Sequence, residues 1–213
     1  MYFLPVEAKL DVFKCLNFDQ LISIQHVNRH FCALINEYEG ELARKEFFSI
    51  SFVDSNKYFN KQLKMVKTSV IEQFQLNDQL LEKWQSAIDE QIPLYLFKYQ
   101  QTHPKKDFFI ILEEDDCVTS FLRLWLPLFP KNIEEMKIIR YWLQRLFGCF
   151  YLNAEFRGVI FNPEMVKLLF NGHKTISIKF IVGRCSLSLW CFRPNKNNVL
   201  EFRKDHIIEL FHD

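Results

Sequence analysis

Three groups of residues have the types and spacing to do chemistry. His26 and His30 stand four apart, which on a helix puts two imidazoles on one face, with Cys32 close behind as a further metal ligand. A zinc site needs more ligands than these, and no fourth is suggested, so no metal is expected. Glu113, Glu114, Asp115 and Asp116 form the densest acidic run and could hold a divalent cation or supply paired carboxylates. The spacing and glycine of a calcium loop are missing, and a solvated hairpin tip is the plainer reading. Lys105-Lys106 and Lys57-Tyr58-Phe59 could touch phosphate or stack on bases, but acids sit close by and a solvated surface again suffices. There is no G-x-S-x-G, no P-loop and no G-x-G-x-x-G. No catalytic group and no cofactor is therefore expected. An enzyme would instead have to show a pocket in the carboxy-terminal half with convergent titratable groups of shifted pKa.

Composition narrows the classes further. The formal net charge of +1 gives no bulk attraction to nucleic acid or to an anionic membrane. Hydrophobic residues make up 49% and charged residues 25%, so a folded chain with a real core is expected. Phenylalanine occurs 23 times and glycine only 5, which predicts an aromatic core and aromatic interface anchors. No apolar run reaches membrane-spanning length, the start lacks the basic region of a signal peptide, and no N-x-Ser/Thr acceptor occurs. A cytoplasmic and/or nuclear location without a membrane partner follows. Cys15, Cys32, Cys117, Cys149, Cys185 and Cys191 are scattered without a CxxC pair and read as small buried hydrophobes.

The elements that must position these groups fall into two parts. In the first, Val6, Leu10 and Phe13 recur at helical spacing after Leu4-Pro5, with Leu16 closing the stripe; proline's fixed φ suits a helix start. Asn17 and Gln20 form a capping-box-like pair ahead of Leu21, Ile24 and Val27. Val27, Phe31, Leu34, Ile35, Tyr38 and Leu42 continue the pattern, which runs on through Ala43 to Phe47. Turn formers at Asp54, Ser55 and Asn56 place a boundary there, giving an amino-terminal module over 1–53 and a mixed α/β domain over 54–213.

In the second part, residues 61–92 read as helix, with Leu76, Leu80, Trp84 and Ile88 on one face, Asn77 or Asp78 as cap and Pro93 as its end. DFFIIL and VTSFLRLWL predict a hairpin with the acids at its tip. Helices are expected over 133–147 and from Pro163, the latter capped by Asn162 and closed by Asn171-Gly172. Strands are expected over 149–152, 175–182 and 186–190, and a last helix in KDHIIELF. The endings RLF, LLF and ELF suggest loosely repeated helix–strand units similar to leucine-rich repeats, though the asparagine-bearing strand consensus of those repeats is missing. The fold class is therefore α+β, a three-helix start followed by a mixed α/β domain.

The first part resembles the F-box without a gap from Leu4 to Phe31: Leu4-Pro5, Glu7, Val12-Phe13, Leu16, Leu21, Ile24, Val27 and the ending Arg29-His30-Phe31 all match. It departs from the pattern at Val6, usually an acid, at Phe18, usually proline, and at Phe31, commonly tryptophan. The resemblance implies a substrate-receptor subunit of a cullin-RING (SCF-type) ubiquitin ligase, docked on a Skp-family adaptor and through it on a cullin. The carboxy-terminal domain would hold an unknown protein substrate. It further implies adaptor contacts among Leu4, Pro5, Leu10, Phe13, Leu21 and Ile24, with Val12, Leu16 and Val27 packed internally. The alternative is an F-box protein-interaction scaffold acting outside ubiquitin transfer.

Overall fold

The computed structural model describes residues 4–25, 27, 29–38, 41–54, 63–65, 77–97, 108–115, 121–156, 158–171, 178–187 and 196–211. Among these the chain is mixed α+β. Three helices open it: α1 (Val6–Lys14), α2 (Phe18–Gln25) and α3 (Arg29–Glu37). Then come β1 (Glu46–Asp54), β2 (Leu63–Met65), α4 (Asp78–Asp89), β3 (Tyr95–Phe97), β4 (Phe108–Glu113) and β5 (Phe121–Trp125). The last third holds α5 (Ile133–Phe147), β6 (Phe150–Phe156), β7 (Val159–Phe161), α6 (Pro163–Phe170), β8 (Phe180–Leu187), α7 (Lys196–His206) and β9 (Ile207–Glu209).

Seven strands form one sheet in the order β2-β5-β4-β1-β6-β8-β9, and β3 pairs with β7 in a second, small one. The expected hairpin is present, with β4 antiparallel to β5. Strands β1, β6, β8 and β9 run parallel side by side, and α5, α6 and α7 precede the last three of them in the chain. Parallel neighbours require crossovers, and the helices supply them.

Local chemistry explains the helix ends. Asn77 is the cap of α4, its side chain accepting from the Leu80 amide at 2.8 Å. Gln91 follows at φ 53, doing the left-handed work that usually falls to glycine, so the helix stops before Pro93. Asn132 caps α5 through the Glu135 amide, and Asn162 caps α6 through the Glu164 amide with Pro163 behind it.

The core lies between the sheet and helices α4 to α7. Phe180 meets Phe147, Tyr151, Phe156, Phe161 and Phe202 at ring separations of 4.7 to 6.4 Å, mostly edge-on or tilted. Three polar side chains drawn inside reach backbone carbonyls. Trp84 Nε1 donates to the Leu168 carbonyl at 3.0 Å, Tyr151 donates to that of Leu146 at 2.9 Å, and Arg140 donates to that of Leu169. Burial pushes the Arg140 guanidinium down to about 10.

Five local expectations are corrected. Residues 46 and 47 begin β1 instead of ending a helix, and β1 pairs with β4 and β6, so the division expected between 53 and 54 falls at the end of a strand inside the sheet. Residues 63–65 are strand β2, not helix; 66–76 lie outside the described residues. The strands expected at 175–182 and 186–190 are replaced by one, β8, which runs through Gly183, while 175–177 and 188–190 lie outside the described residues. Asn171 has φ −58 and ψ 129, so it is no left-handed cap, and Gly172 lies outside the described residues. In KDHIIELF the helix ends at His206 and Ile207–Glu209 pair with β8, because two adjacent β-branched residues there complete a parallel strand.

Candidate functional site

The amino-terminal helices are short, none longer than nine residues, and could not stand singly in water. They close around a cluster of their own: Leu10, Phe13, Leu21, Phe31, Leu34, Ile35 and Leu42, with Leu16, Ile24 and Tyr38 packed against it. Phe13 and Phe31 meet edge to face at 5.9 Å and 89°. The turn from α1 to α2 is fixed by the predicted capping box, in which the Gln20 amide donates to Asn17 Oδ1 at 2.9 Å and the Asn17 amide donates to Gln20 Oε1 at 3.0 Å. Pro5 stands at the N-cap of α1, and its carbonyl accepts from the Lys9 amide at 3.2 Å.

The structure divides the expected partner residues. Leu4 is 43% exposed and Pro5 is exposed, Ile24 is half-buried, and Leu10, Phe13 and Leu21 are buried in the cluster. Those three have little surface to offer a partner in this fold. Two residues expected inside are outside: Val12 is 40% and Val27 69% exposed, while Leu16 is half-buried. An apolar stripe on a short helix marks a contact face without saying which of its edges meets the neighbouring helices. Here the Leu10 and Phe13 edge turns inward and leaves Leu4, Val6 and Val12 on the surface.

Two polar contacts brace the module. Lys9, only 4% exposed, places Nζ 3.1 Å from His30 Nε2, within hydrogen-bond distance. Lys14 pairs with Glu41 at 2.8 Å on the surface, and that carboxylate raises the lysine pKa. Arg44 Nη1 donates to the Phe147 carbonyl and the Phe150 amide to the Lys45 carbonyl, which joins the segment after the helices to the sheet.

The other chemical candidates are placed as follows. His26 lies outside the described residues, His30 is engaged by Lys9, and no group of three His, Cys, Asp or Glu residues suited to a metal occurs among the described residues. Glu113 accepts from Ser49 Oγ at 2.6 Å and Glu114 pairs with Lys45 at 3.0 Å, while Asp116 lies outside the described residues. Lys57, Tyr58, Phe59, Lys105 and Lys106 also lie outside them. No disulfide joins the described cysteines.

A shallow groove of about 810 Å3 lies beside α4, α6 and α7, lined among others by Lys83, Glu90, Asn162, Lys167, Phe170 and Glu201. Lys167 is held there by Glu201 and by Asp205 at 3.7 Å, and Glu201 raises its pKa, so it stays protonated and is a poor base or nucleophile. Deeper in, His206 Nδ1 donates to the Ile178 carbonyl at 2.9 Å, and burial lowers the imidazole pKa.

The architecture is that of an α+β sheet domain preceded by a small helical unit with a separate core. Residues 65–212 match the family described as Domain of unknown function (DUF8381), and the chain belongs to that family. The match takes in all of the sheet elements after β2 and leaves α1 to α3 and β1 outside it. No curated protein and no solved structure matches the chain. No helix among the described residues is long and apolar enough to cross a membrane.

Proposed function

We propose that this chain is a non-catalytic substrate-receptor subunit of a cullin-RING (SCF-type) ubiquitin ligase. Helices α1 to α3 are its F-box and dock on a Skp-family adaptor, which links it to the cullin in the cytoplasm or nucleus. The α/β domain, with α5–β6, α6–β8 and α7–β9 as leucine-rich-repeat-like units, holds the target protein. What carries the reading is one observation: the stretch from Leu4 to Phe31 that resembles the F-box forms two short helices and the start of a third around a core of their own, while Leu4, Val6, Val12 and Val27, on or beside those helices, stay exposed. A partner would cover that apolar surface.

The mechanism is positional. The receptor contributes proximity, turning ubiquitin transfer to a bound target into an effectively intramolecular step. Leu4 and Pro5 act as direct adaptor contacts, Ile24 contributes at the margin, and Leu10, Phe13 and Leu21 act by holding the helices in place.

The experiment is reconstitution of the purified chain with a Skp-family adaptor and a cullin. A ternary complex, weakened by truncation of Leu4 by about 2 kcal/mol as for an interface hot spot, supports the proposal. Absence of adaptor binding ends it. Adaptor binding without cullin recruitment replaces it with the scaffold alternative.

A further inference from the structure

The seven-stranded sheet ends at β9, and among the described residues no strand lies on its outer side. The Leu210 amide donates to the Val182 carbonyl at 2.9 Å, and Val182 is in register with Glu209. In a parallel ladder that phase turns the amide and carbonyl of Ile208 toward β8 and those of Ile207 and Glu209 away from it. The edge therefore presents two amides and two carbonyls that have no backbone partner among the described residues. Such a row is a template for one more strand.

Helix α7 walls this edge. A cavity of about 370 Å3 is lined by Leu200, Arg203 and Lys204 from the helix and by Ile207 and Glu209 from the strand. Lys196 lies one turn before Leu200 on the same helical face, and both are exposed. The acids of α7 are on another face, where Glu201 and Asp205 hold Lys167 of α6. Glu209, the one carboxylate of the cavity, is engaged at both oxygens, accepting from the Cys185 amide at 2.9 Å and from Arg203 at 3.3 Å. Lys196 and Lys204 have no partner among the described residues, so the wall beside the open edge is cationic. Lysines at an edge discourage indiscriminate pairing and leave it open to a strand that brings carboxylates. From Lys196 to Lys204 is about 12 Å along the helix, the length of about four residues of extended chain, so acids at alternate positions of one strand reach both.

We infer that the outer edge of β9 binds an extended acidic segment of a partner protein as an eighth strand, its backbone on Ile207 and Glu209 and its carboxylates on Lys196 and Lys204. The site belongs to the sheet and stands whether or not the chain binds an adaptor.

The test uses the full chain and a fluorescein-labelled extended peptide, TEVEVEVT. Its controls are TKVKVKVT and two copies of the first peptide with N-methylated backbone, one at the valines and one at the glutamates. Fluorescence anisotropy should show saturable binding of TEVEVEVT and none of TKVKVKVT. One methylated copy should lose binding and the other keep it, because alternate amides of a strand face the same neighbour. Hydrogen exchange followed by NMR should show the Ile207 and Glu209 amides protected about tenfold or more in the complex. Lys196→Glu with Lys204→Glu, both exposed positions, should cut the affinity for TEVEVEVT about tenfold or more and admit TKVKVKVT. An unchanged urea midpoint shows that the variant folds. Absence of saturable binding, binding kept by both methylated copies, or binding that leaves those two amides unprotected overturns the inference. So does concentration-dependent dimerisation that protects the same amides, which would assign the edge to a second copy of this chain.

Discussion

Phe13 and Phe180 are both fully buried, yet they sit in cores of different kinds. Phe13 stands edge-on to Phe31 in a small cluster shared by three short helices. Phe180 is surrounded by rings from α5, α7, β6 and β7 in a core that the sheet and four helices close. Burial alone therefore does not measure self-sufficiency. The sheet domain surrounds Phe180 with rings from several elements at once, whereas the helical unit buries Phe13 among three short helices alone.

The sharpest way to break this contrast is to empty one core at a time. Phe180→Ala and Phe13→Ala each remove a fully buried ring and should each cost about 3–5 kcal/mol locally. Hydrogen exchange should separate them: Phe180→Ala should raise exchange throughout β1, β6 and β8, while Phe13→Ala should raise it in α1 to α3 and leave the sheet protected. Equal spreading from both sites would mean one cooperative core. A smaller effect is expected at Gly183, where an added Cβ would lie 2.7 Å from the Leu152 carbonyl oxygen. Gly183→Ala should lower stability by about 1–3 kcal/mol in chemical denaturation, confined to the sheet. Caps come next. Asn17→Ala and Asn77→Ala should each cost about 1 kcal/mol, but the loss at Asn17 should show as a larger fall in helix content, because α1 to α3 have less packing in reserve.

The mildest expectation is pH dependence in the sheet domain. Burial lowers the His206 pKa below its unfolded value near 6.5, so the unfolded chain takes up the proton first as pH falls. The stability this neutral imidazole contributes is complete above that value and declines as pH drops toward the lowered folded pKa. Urea midpoints measured from pH 7.5 to 5.5 should fall in the wild type and fall less in His206→Leu, with the helical unit unaffected.

Much of this was legible where a residue's job is local. Asn17-Gln20 and Asn162 cap helices by bonding amides two or three residues away, as does Asn77, one of the two residues offered for α4, and such spacings are written in the chain. The β4–β5 hairpin was readable for the same reason. What escaped was set by distant partners. Glu46 and Phe47 continue a helical pattern, and only pairing with β6 makes them a strand. Leu63–Met65 become a strand by pairing with β5, more than fifty residues on. Ile207–Glu209 finish a helix-like stretch and are a strand because β8 is beside them. At the candidate site, the apolar stripes carrying Leu10 and Leu21 were readable, but which edge of them stays outside is decided by the packing of α1 on α2 and α3.

The proposed function requires the exposed part of the amino-terminal helices to dock an adaptor. Isothermal titration of the purified chain against a Skp-family adaptor, for the wild type and for a Leu4→Asp, Val6→Asp double variant of unchanged helix content, tests this directly. Saturable one-to-one binding is expected for the wild type, with its loss in the variant. No binding by the wild type, or equal binding by both, would contradict it.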